Sequence, residues 1–188
     1  MRVIGGKLRG KLIHNPTDKI TRPLKDMVRE SIFNILEHSK NEKIKFKNDI
    51  VLDLFSGSGS FGIECLSRGV KKVYFFEKYE PSLKVLEKNI NYLELKKNSI
   101  IKKMDAYEIS TEKVGNEKID LIYLDPPFRD KNINKLLIKM IEEKIAQEST
   151  LIIIHRNKKF KENFIKNFKI IREKTYGLSK IIFGKLLF

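Results

Sequence analysis

Two motifs in this chain have the residue types and spacing for chemistry. The first is DLFSGSGSFG, residues 53–62, which follows the apolar run Ile50, Val51, Leu52. Gly57, Gly59 and Gly62 fall in a Gly-x-Gly-x-x-Gly pattern, and Glu77 lies twenty residues beyond Gly57. Glycines in such a turn let the backbone approach a bound group closely, and the helix that follows offers a positively polarised N-terminus. The Glu77 carboxylate can accept from both hydroxyls of a ribose. That is the arrangement of a dinucleotide loop. Asp53 at the strand end, and the Phe55-Ser56 pair ahead of the first glycine, suit S-adenosylmethionine as well. The loop alone leaves NAD and S-adenosylmethionine open.

The second motif is DPPF, residues 125–128, again after an apolar run. Two prolines fix the backbone and remove two amide donors. Their carbonyls beside the Asp125 carboxylate would form an acceptor-only patch, which suits an –NH2 group. Phe128 supplies a flat face for a base, worth about 1–3 kcal/mol when stacked. Hydride transfer needs no such set, whereas methylation of an exocyclic base amine does. Asp125 and the Pro126 carbonyl would hold the amine while its nitrogen becomes more tetrahedral. Most of the rate would come from that positioning.

The elements that hold these motifs can be read from periodicity. Residues 2–14 read as two short strands about Gly5-Gly6, a hairpin. In TRPLKDMVRESIFNIL, Thr21 caps and Pro23 starts a helix, with Leu24, Met27, Val28, Ile32, Ile35 and Leu36 at helical spacing. Residues 39–48 read as a polar linker. Strands follow at 50–54, 72–76, 99–103, 119–124 and 151–154, and helices at 59–68, 81–95 and 131–145. From Phe168 the tail reads as two strands split near Tyr176-Gly177. Alternating strands and helices predict an α/β fold with a mostly parallel sheet whose last strand is antiparallel. Asp53, Glu77, Asp105 and Asp125 then all fall at carboxyl ends of strands, the edge where such sheets bind ligands.

Charge is unevenly spread. The net charge is +15, from 39 basic and 24 acidic residues. Residues 1–47 hold 12 Lys/Arg against 5 Asp/Glu, residues 155–188 hold 10 against 2, and the middle balances at 17 against 17. Basic flanks about a neutral core predict a nucleic-acid partner. The chain has no run of eighteen apolar residues and no leader pattern, so a cytoplasmic protein without a membrane span is expected. The single cysteine, Cys65, allows no internal disulfide, and the three scattered histidines suggest no metal.

With these residues in view, the chain resembles the RsmD family of bacterial methyltransferases, which modify the N2 amine of a guanine in 16S ribosomal RNA. The likeness rests on RVIGGKLRG (2–10), RPLKDMVRESIFNIL (22–36), VLDLFSGSGSFGIECLSRG (51–69), DPPF (125–128) and YGLSK (176–180). It implies a Rossmann-like class I S-adenosylmethionine-dependent methyltransferase domain over 21–188, with a seven-stranded sheet. A basic N-terminal arm, 1–20, would contact RNA. Asp53, Phe55, Gly57, Gly59, Glu77, Asp105, Ala106 and Arg29 are implied to hold the cofactor. Asp125, Pro126 and Phe128 would hold the guanine, which in the family is guanine 966. Arg2, Lys7, Arg9, Lys11, Arg22 and Arg129 would contact RNA. The expected partner is 16S rRNA, free or in the small subunit, met by a monomer without metal. Paired guanine hides its N2 in the minor groove, so the base is expected unstacked or in a loop. The chain departs from the family at His155-Arg156, where an acid is usual.

Other residues read more plainly. Cys65 is packing, because an exocyclic nitrogen needs no covalent step. His155 caps its strand or touches RNA. Phe160, Phe164 and Phe168, four apart among lysines, read as a buried helix face rather than a base-stacking set. Three rival functions stay in view, one of them a non-catalytic RNA chaperone that would bind RNA equally well without Asp125. A DNA adenine N6-methyltransferase would share both motifs but usually needs a further recognition segment. An NAD-binding oxidoreductase would leave DPPF and the basic flanks without a role.

Overall fold

In a computed structural model, which describes residues 1–17, 26–40 and 44–188, the apolar runs pair into one seven-stranded sheet. The strands are β1 (Ile50–Leu54), β2 (Lys72–Phe76), β3 (Ser99–Lys102), β4 (Leu121–Leu124), β5 (Leu151–Asn157), β6 (Phe168–Tyr176) and β7 (Ser179–Leu186). Their order is β3-β2-β1-β4-β5-β7-β6. β1 to β5 are mutually parallel, and β7 runs antiparallel to both β5 and β6. This is the expected Rossmann-like topology with an antiparallel last strand. The order reverses between β1 and β4, so a crevice opens outside their carboxyl ends.

Every residue of β1 and β4 is buried, as expected of central strands covered on both faces. Side chains alternate between two apolar clusters. Val51, Val73, Leu121 and Ile153 face α1 (Asp26–His38), α2 (Ser60–Ser67) and α3 (Glu80–Tyr92). Leu52, Tyr74, Ile122 and Ile152 face α4 (Thr111–Val114) and α5 (Ile133–Glu142).

The N-terminal arm departs from the expected pair of strands. It doubles back, but its ladder shrinks to one bridge, Arg2–Leu12, around a 3-10 turn at Gly6–Leu8. Its amides are drawn elsewhere. The Glu64 carboxylate of α2, fully buried, accepts from the Ile4 and Gly5 amides at 2.8 and 2.7 Å, and Ser67 Oγ accepts from the Leu8 amide at 2.9 Å. Gly6 has φ +72° and lies so close to α2 that a Cβ would meet the Ser67 carbonyl oxygen at 2.0 Å. Val3 and Ile13 of the arm belong to the same apolar cluster as α1 and the sheet.

A second departure lies after β5. That strand extends to Asn157 because β7 pairs with it through Ser179. Residues 158–167 form turns rather than a helix. Phe160 is 45% exposed, whereas Phe164 packs on the buried Phe168 with ring centroids 4.9 Å apart. The expected cap and first turn, Thr21 to Leu24, lie outside the described residues.

Candidate active site

The crevice predicted by the strand order is present as a cleft of about 450 Å³, within the usual range for small-molecule sites. Its floor is the loop after β1. Ser56 N donates to the Phe76 carbonyl at 3.0 Å, and Gly59 N donates to the Ser56 carbonyl at 2.8 Å, closing a tight turn into α2. Gly57 and Gly59 take φ of +57° and +80°, conformations that glycine adopts without a Cβ penalty. Phe55 also has positive φ, +65°. A bulky residue there is strained, and such strain concentrates at functional turns. The Phe55 ring meets Tyr107 edge-on at 5.5 Å, and both line the cleft.

The acids read from sequence converge on this space: Asp53, Glu77, Asp105 and Asp125 all line it. Asp53 is buried and its Oδ2 accepts from the Gly62 amide at 3.0 Å. Burial pushes its carboxyl well above the usual range. The Gly62 amide opposes this, while the nearby Asp125 and Glu77 carboxylates add to it. Glu77 is tied down at both oxygens, accepting from the Gly57 amide and the Tyr79 amide, each at 2.7 Å. It lines the cleft. Asp105 accepts from Lys78 Nζ at 2.6 Å and from the Tyr107 amide at 3.1 Å. Burial pushes the Asp105 carboxyl up, but these donors outweigh it and leave the group below its usual range. Ala106, next to it, is buried on the wall.

At the DPPF turn, Asp125 Oδ1 lies 2.9 Å from His155 Nδ1, and Tyr123 Oη donates to Asp125 Oδ2 at 3.4 Å. His155 also meets the Phe128 ring edge-on at 5.5 Å. The histidine that stands where an acid was expected is therefore buried against the motif. The two proline carbonyls are not equivalent, contrary to expectation. Pro127 accepts from the Asp130 amide at 2.8 Å and from Arg156 Nη1 at 3.3 Å, whereas Pro126 accepts from none of the described residues. Asp125, Pro126 and Phe128 all line the cleft.

Several predicted residues lie elsewhere. Arg29 does not line the cleft. It is fully buried behind it, donating to the Arg2 carbonyl, to Met1 Sδ at 2.9 Å and to Asp26 Oδ1 at 3.0 Å. Its place beside Glu64, 4.0 Å from Nε, makes it a clamp between arm and core. Arg2, Lys7, Arg9 and Lys11 are exposed on the arm, and Arg129 is exposed beside Phe128. Arg22 lies outside the described residues. Cys65 is buried, and burial raises its thiol pKa well above the usual value.

Sequence reasoning missed other wall residues. Asn15 and Pro16, from the end of the arm, line the cleft. Asn89 holds them in place. Its Oδ1 accepts from the His14 amide at 2.8 Å, and its Nδ2 donates to the carbonyls of His14 and Ser58 at 2.9 and 3.0 Å. Arg156, buried, braces the DPPF turn through Pro127 and the Asp130 carbonyl. A polar residue in an apolar helix face and an arginine ending a buried strand were the only sequence traces of these roles.

Comparison with known proteins bears on the family and the fold. The family described as Conserved hypothetical protein 95 matches residues 1–185. YlbH of Bacillus subtilis is 30% identical over 188 residues, covering 98% of each chain. The Haemophilus influenzae protein named ribosomal RNA small subunit methyltransferase D is 27% identical, over 95% of this chain and 90% of its own. Among solved structures, yhhF of Escherichia coli superposes with a TM-score of 0.80 at 24% identity, over 99% and 97% of the chains. An RNA methyltransferase from Salinibacter ruber, solved with S-adenosyl-L-homocysteine, shares the fold at a TM-score of 0.64, 14% identity, and 88% and 94% coverage. The chain belongs to the Conserved hypothetical protein 95 family, the RsmD family of rRNA methyltransferases.

Proposed function

We propose that this protein transfers the methyl group of S-adenosylmethionine to the N2 amine of a guanine in 16S rRNA, guanine 966 by family likeness. The observation that carries the reading is the shared cleft: the acceptor corner at Asp125–Pro126 opens onto the space bounded by Asp53, the glycine loop and Glu77. The charge of that space argues for the cofactor. Asp53 is buried there, the Asp125 and Glu77 carboxylates add to the upward push on its carboxyl, and no cation is among the groups that act on it. A pyrophosphate would add negative charge to three carboxylates, whereas an ammonium and a sulfonium would relieve them. The ligand of the Salinibacter ruber neighbour fits the same choice.

S-adenosylmethionine, when bound, supplies an activated methyl group on a positively charged sulfur. The chain's own residues would orient both partners. Asp53 and the turn at Gly57–Gly59 take the amino-acid end, Glu77 the ribose hydroxyls, and Asp105 with Ala106 the adenine. Asp125, beside His155 and bonded by Tyr123, accepts from the guanine amine together with the Pro126 carbonyl, and Phe128 stacks on the base. Tightening of those hydrogen bonds as the nitrogen gains positive charge lowers the barrier. The exposed Arg2, Lys7, Arg9 and Lys11, with Arg22 and Arg129, take RNA phosphates. The protein acts in the cytoplasm as a monomer.

Asp125→Ala tests the assignment. Methyl incorporation into 16S rRNA from cells lacking the protein should fall about 100-fold or more. Calorimetric affinity for S-adenosylhomocysteine should stay within a few-fold of wild type. Full activity in this variant would overturn the reading, and transfer to duplex DNA alone by the wild type would favour a DNA methyltransferase.

A further inference from the structure

The basic excess of the C-terminal flank has a definite location beside the DPPF turn. β5 ends at Asn157, and the chain continues as Lys158, Lys159, Phe160, Lys161, Glu162. The three lysines and Phe160 are all exposed. The only acid of this run turns inward: Glu162 Oε1 accepts from Arg156 Nε at 2.5 Å and its side chain is 12% exposed. Among the described residues no carboxylate pairs with the three lysines. The turn between β6 and β7 lies against them, because the Lys158 amide donates to the Leu178 carbonyl at 2.9 Å. Leu178 is itself 52% exposed.

This surface is also registered to the target-base corner. Arg156, two residues before Lys158, is buried and donates to the Pro127 and Asp130 carbonyls on either side of Phe128. His155 touches Asp125. Phe160 is five positions beyond His155, so the Cα atoms of the two lie no more than about 17 Å apart. Three unopposed cations around an exposed aromatic ring suit a single-stranded nucleic acid: phosphates meet the lysines and an unpaired base meets the ring. A protein partner would find few apolar side chains here, and a second copy of this chain would bring like charge to like charge.

We propose that residues 158–161, with Leu178, form a second RNA-contacting surface that grips the unpaired strand next to the target guanine, apart from the N-terminal arm. Phe160 stacks an unpaired neighbour base and the lysines hold flanking phosphates. The proposal rests on the rRNA-methylating reading above.

The test uses the full chain, a transcript of the small-subunit rRNA and a perfectly paired RNA duplex of equal length. Wild type, Phe160→Ala and the triple variant Lys158→Gln, Lys159→Gln, Lys161→Gln are titrated from low to high salt. Circular dichroism and calorimetry with S-adenosylhomocysteine check fold and cofactor affinity, both expected unchanged. The triple variant should flatten the salt slope of rRNA binding by about 2. Phe160→Ala should weaken rRNA binding about tenfold and duplex binding much less. Wild-type rRNA affinity and slope in the triple variant would overturn the proposal, as would equal losses on both RNAs for Phe160→Ala. If wild type itself neither binds nor methylates the transcript, the underlying reading fails instead. If these substitutions alter self-association and not rRNA binding, the surface is a dimer interface and the proposal is wrong.

Discussion

Asp53 shows how a single residue can be placed against its own electrostatic preference. Its carboxyl is buried, accepts one amide, and shares the cleft with Asp125 and Glu77. A raised pKa in the folded chain means that the folded state holds the proton more tightly than the unfolded state. Stability from this group is therefore present below the usual carboxylate range and is lost as pH rises through the raised value. Asp53→Asn keeps an oxygen for the Gly62 amide and removes the titration. Without cofactor, this variant should melt above wild type at pH 8, and the gap should narrow as pH falls toward about 4. Under the proposed assignment its affinity for S-adenosylhomocysteine should drop, because the charge assigned to the ligand's ammonium is gone. Melting curves that stay parallel across pH would rule out this account of Asp53. The acid itself was legible in sequence, standing between an apolar strand and a glycine turn. Its shifted ionisation was not, because that depends first on burial in the folded chain and then on carboxylates brought in from the ends of β2 and β4.

At the scale of elements, the helix at 80–92 was readable from its apolar spacing and Pro81. The function of its one buried polar side chain was not. Asn89 lies 75 residues from His14 and 31 from Ser58, yet bonds to both. It ties α3, the arm's exit and the glycine loop into one unit beside the cleft. Asn89→Ala would leave the His14 amide and the Ser58 carbonyl without their buried partner, at a cost of about 1–3 kcal/mol. Urea unfolding should show that loss, together with weaker S-adenosylhomocysteine binding, since Asn15 and Pro16 lose their anchor. The loop after β5 carries the opposite lesson. Phenylalanines four apart satisfied a helical pattern, but β5 runs on to Asn157 beside β7, Phe168 opens β6, and the residues between form turns and irregular chain. Periodicity cannot register a partner strand that follows it in sequence.

For the whole molecule, the main revision concerns the arm. Composition suggested a separate basic hairpin, and its basic side chains are indeed exposed. Its backbone, however, supplies hydrogen-bond donors to a buried carboxylate. Glu64 is fully buried between arm amides, Arg68 at 3.0 Å and Arg29, whose own partners Met1 and Arg2 belong to the arm. Burial pushes the Arg29 guanidinium pKa down, opposed by Glu64 and Asp26. Deleting residues 1–13 should therefore cost far more than RNA affinity. It strips a buried carboxylate of two donors and uncovers Val3 and Ile13's neighbours, for about 3–5 kcal/mol or loss of folding. A truncated chain with wild-type urea stability and reduced RNA binding would show that the arm is an appendage.

The sequence by itself determined the strands and longer helices between residues 50 and 154, the glycine turn, the four acids and the DPPF corner. Each depends on short-range pattern: period-two or helical burial, glycine at positive φ, proline without an amide. Tertiary structure alone decided which groups meet. It joined the corner to the glycine-loop cleft across the reversal in strand order, set His155 and Arg156 against the motif, and turned the arm into a clamp around Glu64. Those outcomes follow from the pairing of strands distant in sequence, and from buried charges that must find donors wherever the fold supplies them.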